Sequence, residues 1–258
     1  DNEEINYYYP TSDLVTAPEI IFFWVARMIV AGYEYRDEMP FKNVYFTGIV
    51  RDKQRRKMSK SLGNSPDPIE LMKKYGADGV RAGMLFSAPA GNDLLFDEKL
   101  CEQGRNFSNK LWNAFRLIQT LEVSDKGKDQ SLAIDWINSR FNEVLKEVDD
   151  HFSKYRISDA LLSIYTFIWY DFCSWYLEII KDNSISDKTH KGTLAVLDKI
   201  LKTLHPFMPF ITEELWNQID KERDYIMISE YPRPENFDEV LNNDFKKDFI
   251  ALARSIYK

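Results

Sequence analysis

The stretch Arg51-Asp52-Lys53-Gln54-Arg55-Arg56-Lys57-Met58-Ser59-Lys60-Ser61-Leu62-Gly63-Asn64 decides how the chain is read. Between Arg51 and Lys60 it carries six cationic side chains and one carboxylate, Asp52. Neither helical nor strand periodicity runs through it, so it reads as a loop. The apolar run Val44-Tyr45-Phe46-Thr47-Gly48-Ile49-Val50 feeds it as a strand. Gly63-Asn64 and the two prolines Pro66 and Pro68 close it. A cationic loop at the carboxyl end of a parallel strand is where open α/β sheets bind their ligands. A solvated basic run of the nuclear-localisation kind is the alternative that composition offers.

Upstream, Leu14-Val15-Thr16 reads as a short buried strand, and Pro18 suits a first helical position with Glu19 in the first turn. The run from Ile20 to Val30 is apolar nearly all round, which predicts a helix buried on most faces and ended at Gly32. The next strand is expected near Asn43. Strand, helix, strand makes one right-handed βαβ crossover, part of a Rossmann-like fold. Two strands are too few for a doubly wound sheet. The chain opens on Asp1 in what reads as mid-domain sequence, so a piece of a longer protein is expected, with the rest of the fold upstream. Glu19 has two readings, a carboxylate offsetting the helix dipole or a ligand group.

From Asp67 the pattern turns helical through Ile69, Leu71-Met72 and Tyr75. Asp78 and Arg81, three apart, are expected to pair on a helix surface. Ala88 to Asn92 is a Pro/Gly loop, which divides the chain into an α/β portion, 1–95, and an all-α helical bundle, 96–258. The fold class is therefore mostly α. Phe107, Leu111, Ala114, Phe115 and Ile118 form one apolar stripe. Arg105, Asn109, Trp112, Asn113 and Arg116 fall on the opposite face. That face either packs on a neighbouring helix or meets RNA, where cations reach phosphate and an aromatic stacks. Gly127 marks a polar turn. Ile137, Phe141, Val144-Leu145 and Val148 give a further helix, Ser158 to Lys181 a central apolar one, and Leu194 to Leu204 another. His205-Pro206 breaks the last, and Thr212 is placed to cap its successor. His205, beside prolines at a helix junction, reads as structural.

The 258 residues are 44% apolar and 14% aromatic, with a formal net charge of −7. That is a globular chain, and any contact with nucleic acid must come from local patches. Cys101 and Cys173 stand far apart without a CxxC or a neighbouring histidine. This argues against a zinc site or a disulfide framework and for a reducing compartment. No run of apolar residues is long enough to span a membrane.

Lys57-Met58-Ser59-Lys60-Ser61 matches the KMSKS signature, and on it the chain resembles the class I aminoacyl-tRNA synthetases. Tyr75-Gly76-Ala77-Asp78-Gly79-Val80-Arg81 matches that family's Tyr-Gly-Ala-Asp-x-x-Arg segment. Asn106 to Ala114, Asp171 to Glu178 and His205 to Trp216 look like its anticodon-binding bundle. The resemblance implies that Lys57 and Lys60 are catalytic, acting on ATP phosphates as charge builds there. It implies an ATP site of Glu19, Lys57, Met58, Ser59, Lys60 and Ser61. Glu19 stands in Ala17-Pro18-Glu19 where the family has a Gly-x-Asp/Glu turn that holds the ribose, so the glycine is replaced and the carboxylate kept. Phe22-Phe23-Trp24-Val25-Ala26-Arg27-Met28 resembles the valine-specific branch, in which a tryptophan lines the amino-acid pocket; Trp24 is either that wall or plain core. The bundle's resemblance gives that polar face an RNA to meet, so Arg105, Asn109, Trp112 and Arg116, read from the face itself, are the candidate tRNA-binding residues, with packing the stronger reading for Trp112. The partners implied are ATP with Mg2+ and no metal on this segment, valine, and valine tRNA, in a cytoplasmic monomer. The family's His-Ile-Gly-His motif is absent, since the histidines are His151, His190 and His205, so the chain alone is expected to be inactive. An isoleucine-type relative, a tRNA-binding module without catalysis, and a helical scaffold remain the alternatives.

Overall fold

The computed structural model describes residues 2–88, 93–181, 184–222 and 224–234. After a short helix α1 (Glu3–Tyr8), strand β1 (Thr11–Thr16) pairs in parallel with β2 (Phe41–Phe46), from Thr11 opposite Phe41 to Thr16 opposite Phe46. A parallel pair needs a crossover, and it is helical here. A 3-10 turn (Pro18–Ile20) opens it, with proline at the first position as expected; a π-helical turn (Ile21–Val25) and α2 (Ala26–Arg36) follow.

Two expectations about this crossover fail. The helix does not end at Gly32 but at Asp37, which takes the left-handed conformation at φ 55°. Gly32 is buried inside α2, where a Cβ would lie 2.8 Å from both Pro40 Cδ and Tyr9 Oη. Glycine there lets the helix lie against the entry to β2. The crossover is also not buried on most faces. Phe22 is 95% exposed and Trp24 53%, and Val30, Tyr33 and Tyr35 face outward too. Val25 and Gly32, seven residues apart on one face, are its buried residues. At Gly32 that face lies against Tyr9, Glu38 and Pro40, at the entry to β2.

Strands β3 (Val50–Arg51) and β4 (Leu94–Leu95) form a second parallel pair. Between them lie α3 (Pro68–Tyr75), capped by the Asp67 carboxylate accepting from the Ile69 N–H at 2.8 Å, and α4 (Ala77–Phe86). Pro89–Asn92, most of the expected boundary loop, lie outside the described residues.

The second half is helical, as the stripes predict. It comprises α5 (Glu98–Thr120), strand β5 (Val123–Lys128), α6 (Ser131–Ser153), α7 (Ile157–Thr166), a π-helical stretch (Phe167–Tyr176) running into α8 (Leu177–Ile180), α9 (Asp187–Leu204), α10 (Pro209–Ile219) and a 3-10 turn (Ile226–Ile228). The α5 stripe is buried throughout, against Phe141 and Val144 of α6, Phe167 and Phe172 of the central helix, and Leu197 and Leu201 of α9. Ala82 of α4 is fully buried in the same core, with Leu85 and Phe86 packed against it. Helix α4 thus belongs with the bundle in packing. Its crossing with α5 is made by glycines: a Cβ at Gly83 would lie 2.6 Å from Cys101 N, and one at Gly104 2.4 Å from Gly79 O. The polar turn expected at Gly127 is extended strand instead. Ser186 N–H donates to Lys128 O at 3.0 Å and Lys128 N–H to Ser184 O at 3.0 Å, and a Cβ on Gly127 would strike Ile185 O at 2.1 Å.

Asp78 and Arg81 do not pair with each other. The Asp78 carboxylate is buried and accepts from the Phe210 N–H at 3.4 Å and the Ile211 N–H at 2.6 Å. Arg81 donates to the carbonyls of Phe207 and Pro206, each at 3.1 Å. The start of α10 has no capping side chain of its own, and its free N–H groups need an acceptor. Asp78 supplies it from more than a hundred residues away. Thr212, expected as that cap, sits one turn inside the helix and donates to Met208 O at 2.8 Å, with His205 Nδ1 2.8 Å from its hydroxyl. His205 is thereby accounted for structurally. At the α6–α7 turn, Tyr155 Oη donates to Asp13 Oδ1 at 2.6 Å and its ring stacks on Tyr45 at 5.7 Å, tying the bundle to the β1–β2 pair.

Candidate active site

The basic loop leaves β3 at Arg51, and its form is set by Asp52. That residue is 7% exposed, which is unusual for a carboxylate unless its oxygens are satisfied. Oδ1 accepts from the Gln54 N–H at 3.0 Å and the Arg56 N–H at 2.9 Å. Oδ2 accepts from Arg56 Nε at 2.8 Å and Asn64 Nδ2 at 2.9 Å. The Asn64 bond, then the backbone and guanidinium of Arg56, hold the Asp52 carboxyl down to about 2. Arg55 closes the first turn with φ 63°, its N–H donating to Asp52 O at 2.8 Å. Arg51 is paired with Asp93, whose other oxygen accepts from the Ile49 N–H at 3.1 Å.

The signature residues hang from this frame. Met58 N–H donates to Val50 O at 3.2 Å. Ser59 N–H donates to Asn64 Oδ1 at 2.9 Å, and Asn64 Nδ2 reaches Lys57 O at 3.3 Å. The Ser59 hydroxyl lies 3.2 Å from that of Ser61 and accepts from the Leu62 N–H at 3.3 Å. Gly63, at φ 62°, turns the chain back so that its N–H meets Lys60 O at 3.1 Å. Lys60 projects into solvent. Lys57 Nζ lies 2.6 Å from Glu19 Oε2, each side chain about half exposed. The structure thus brings together two sequence-predicted site residues from the start of the crossover helix and from the loop.

Trp24 stands on the next turn after Glu19. Its ring meets Phe23 edge-to-face at 5.5 Å, and the Arg27 guanidinium lies 5.4 Å from it and 4.1 Å from the Phe23 ring. Trp24 is therefore not plain core. The face of α5 divides. Asn109 and Arg116 are exposed. Arg105 lies 5.5 Å over the Tyr75 ring and 3.5 Å from Glu102. Trp112 packs on the bundle core, 6.5 Å from Phe115, which is the packing account of that residue. Lys110, also on α5 and not singled out by the sequence reading, lies 4.9 Å over the ring of Trp169 in the π-helical stretch.

Sequence reasoning missed Asp52 and Asn64 as site residues. The signal was a lone carboxylate inside a cationic run, with a carboxamide where the run closes. Among the described residues no group of three or more His, Cys, Asp and Glu gathers as a metal site. No described helix is long and apolar enough to cross a membrane.

Residues 1–97 match the family model of tRNA synthetases class I (I, L, M and V), and residues 135–258 match that of the anticodon-binding domain of tRNA ligase. The valine–tRNA ligase of Christiangramia forsetii is 58% identical over 268 residues, covering 100% of this chain and 31% of that protein. That of Phocaeicola vulgatus is 58% identical over 99% of this chain and 30% of its own length. That of Fusobacterium nucleatum is 45% identical over 98% and 31%. The chain thus spans about 30% of the length of the curated relatives it matches. In fold it is similar to the LeuRS of Agrobacterium radiobacter K84, solved as a ternary complex with tRNA and LeuAMS, at a TM-score of 0.71 and 19% identity over 93% of this chain and 30% of that one. It is also similar to the methionyl-tRNA synthetase of Mycobacterium tuberculosis, solved with methionyl-adenylate, at a TM-score of 0.61 and 20% identity over 84% and 46%. The chain belongs to the class I tRNA synthetases, and it corresponds to the stretch of valine–tRNA ligases that joins a class I synthetase segment to the anticodon-binding domain.

Proposed function

We propose that this chain is the part of a cytoplasmic, monomeric valine–tRNA ligase that brings the lysine loop to ATP and the helical bundle to the anticodon arm of valine tRNA. The observation that carries the ATP assignment is the pairing of Lys57 with Glu19 at 2.6 Å. The family resemblance assigns these two residues to one nucleotide on separate grounds, and they meet across 38 positions of sequence. In this reading valine's carboxylate oxygen attacks the α-phosphorus of ATP, and the bond to pyrophosphate breaks. Lys57 and Lys60 meet the charge that develops on the departing phosphates, with Ser59 and Ser61 as donors and Met58 fixing the loop's root. Glu19 takes the ribose hydroxyls, so ATP entry replaces the Glu19–Lys57 pair. A half-exposed pair of this kind is worth about 0–1 kcal/mol, a small barrier to that exchange. Mg2+ travels on the triphosphate. Trp24, about half exposed one turn after Glu19, supplies a wall for the valine side chain. Arg105, Asn109, Trp112 and Arg116 form the tRNA-facing side of α5, Trp112 serving as the packed base of that face. The test is trypsin cleavage after Arg55, Arg56, Lys57 and Lys60 in the full-length ligase. Saturating ATP should slow these cuts and leave cuts in the bundle unchanged. Equal rates with and without ATP would reject the assignment.

A further inference from the structure

We infer that Asp52 and Asn64 are positioning residues for the activation step, a carboxylate–carboxamide staple that sets where Lys57 and Lys60 stand. The inference rests on the assignment of the loop to ATP. A loop that closes on phosphate must deliver its lysines in one register each time, because reacting geometry tolerates little displacement. The backbone contributes few bonds inside the signature: Met58 N–H to Val50 O at its root and Gly63 N–H to Lys60 O at its end. Beside the Ser59 hydroxyl, which meets Ser61 and the Leu62 N–H, the side-chain bonds to the signature's backbone come from one carboxamide. Asn64 accepts from Ser59 N–H and donates to Lys57 O, so it grips the chain on both sides of Met58. Its Nδ2 also donates to Asp52 Oδ2, which joins the grip to the start of the loop.

Only asparagine supplies an acceptor and a donor at this reach. Aspartate has the acceptor alone, and glutamine is longer by a methylene. The partner must be a carboxylate, because it collects four donors around two oxygens, one of them a guanidinium. Asp52 is thereby the buried charge about which the basic loop folds, while Lys60 is left in solvent.

The test is valine-dependent ATP–pyrophosphate exchange by the full-length ligase carrying Asn64→Asp. That change sets a second carboxylate where the Nδ2 donor stands 2.9 Å from Asp52 Oδ2. Exchange should fall about 10²-fold in kcat, the loss typical of displaced catalytic groups, with the KM for valine unchanged. The swap Asp52→Asn with Asn64→Asp should recover none of that loss, because an amide at 52 cannot accept four donors and a carboxylate at 64 cannot donate to Lys57 O. In a Lys60→Ala background, Asn64→Asp should cost less than it does in wild type, because part of its effect acts through the lysine already removed. Exchange within twofold of wild type, recovery in the swap, or a full additive loss on Lys60→Ala would each overturn the inference. If Lys60→Ala itself exchanges at the wild-type rate, the ATP assignment fails, and the staple is judged in this chain by hydrogen exchange. There Asn64→Ala should speed exchange of the Ser59 amide at least tenfold, and an unchanged rate overturns the staple whether or not Asn64→Asp folds.

Discussion

Gly104→Ala tests the packing that joins α4 to the bundle. In a helix interior, alanine in place of glycine gains about 1 kcal/mol from propensity. At this position the new Cβ would lie 2.4 Å from Gly79 O and 3.0 Å from both Gly79 C and Gly79 Cα. Carbon contacts settle near 3.5–4.0 Å, so α4 must retreat by about 1 Å along the crossing. The obstacle is backbone, which cannot rotate aside. Retreat also loosens Ala82 in the core and shifts Asp78 from its bonds to α10. Overpacking of this kind costs about 1–3 kcal/mol, which outweighs the propensity gain and leaves a net loss of about 1 kcal/mol. Gly192→Ala is the control. It too lies inside a helix, but its Cβ would meet Ile134 Cδ1 at 2.6 Å, the movable end of a side chain. That variant should be neutral or more stable by up to about 1 kcal/mol. Urea unfolding should therefore show a lower midpoint for Gly104→Ala than for Gly192→Ala, with unchanged m-values. Equal midpoints would refute the close glycine crossing.

Three further outcomes are expected. Asp78→Ala should cost about 1–2 kcal/mol in urea unfolding through loss of the cap on α10, and Asp78→Asn less. Burial pushes the Asp78 carboxyl above the ordinary range, so its contribution to stability is full below the unfolded value of about 3.9 and is lost as pH rises through the folded one. Wild type should accordingly lose ground to Asp78→Asn on going from about pH 3 to neutral. For Asp52 the sign is opposite. Its folded value of about 2 lies below the unfolded one, so its loop bonds persist above about pH 4 and are lost as pH falls towards 2. The Ser59 amide resonance should shift with a midpoint near 2, and a midpoint near the unperturbed carboxyl value would exclude the four-donor cradle. Reversing Arg105 and Arg116 to Glu should abolish salt-sensitive binding of valine tRNA by this chain, measured by filter binding across salt concentrations. An unchanged affinity and salt slope would make that side of α5 a packing face.

The helices were legible because burial imposes a period on sequence. The α5 stripe from Phe107 to Ile118 and the α6 and α9 stripes all turned inward as read. The lysine loop was legible because no period fits it, but the run read as one feeding strand, Val44 to Val50, divides between the end of β2 and the start of β3, which lie in different sheets. What escaped the sequence was contact made at long separation. Asp78 and Arg81 look like an i, i+3 pair, yet the free ends of α9 and α10 draw both away. The crossover helix reads as buried from Ile20 to Val30, but apolar composition says only that a surface is available to be covered. In the described residues one face of it is covered. Asp52 counted as one acid among six bases, and nothing in its spacing announced that it would fold the loop around itself. Gly127 read as a turn because a glycine serves equally for a turn and for a backbone passing within contact of Ile185.

The most direct measurement is the single-turnover rate of valyl-adenylate formation by the full-length ligase with Lys60→Ala. If this lysine meets charge that appears only as pyrophosphate leaves, the rate should fall about 10²–10³-fold, equivalent to roughly 3–4 kcal/mol, while the dissociation constant for valine stays at the wild-type value. A wild-type rate of adenylate formation, with or without weakened valine binding, would contradict the placing of this loop on ATP.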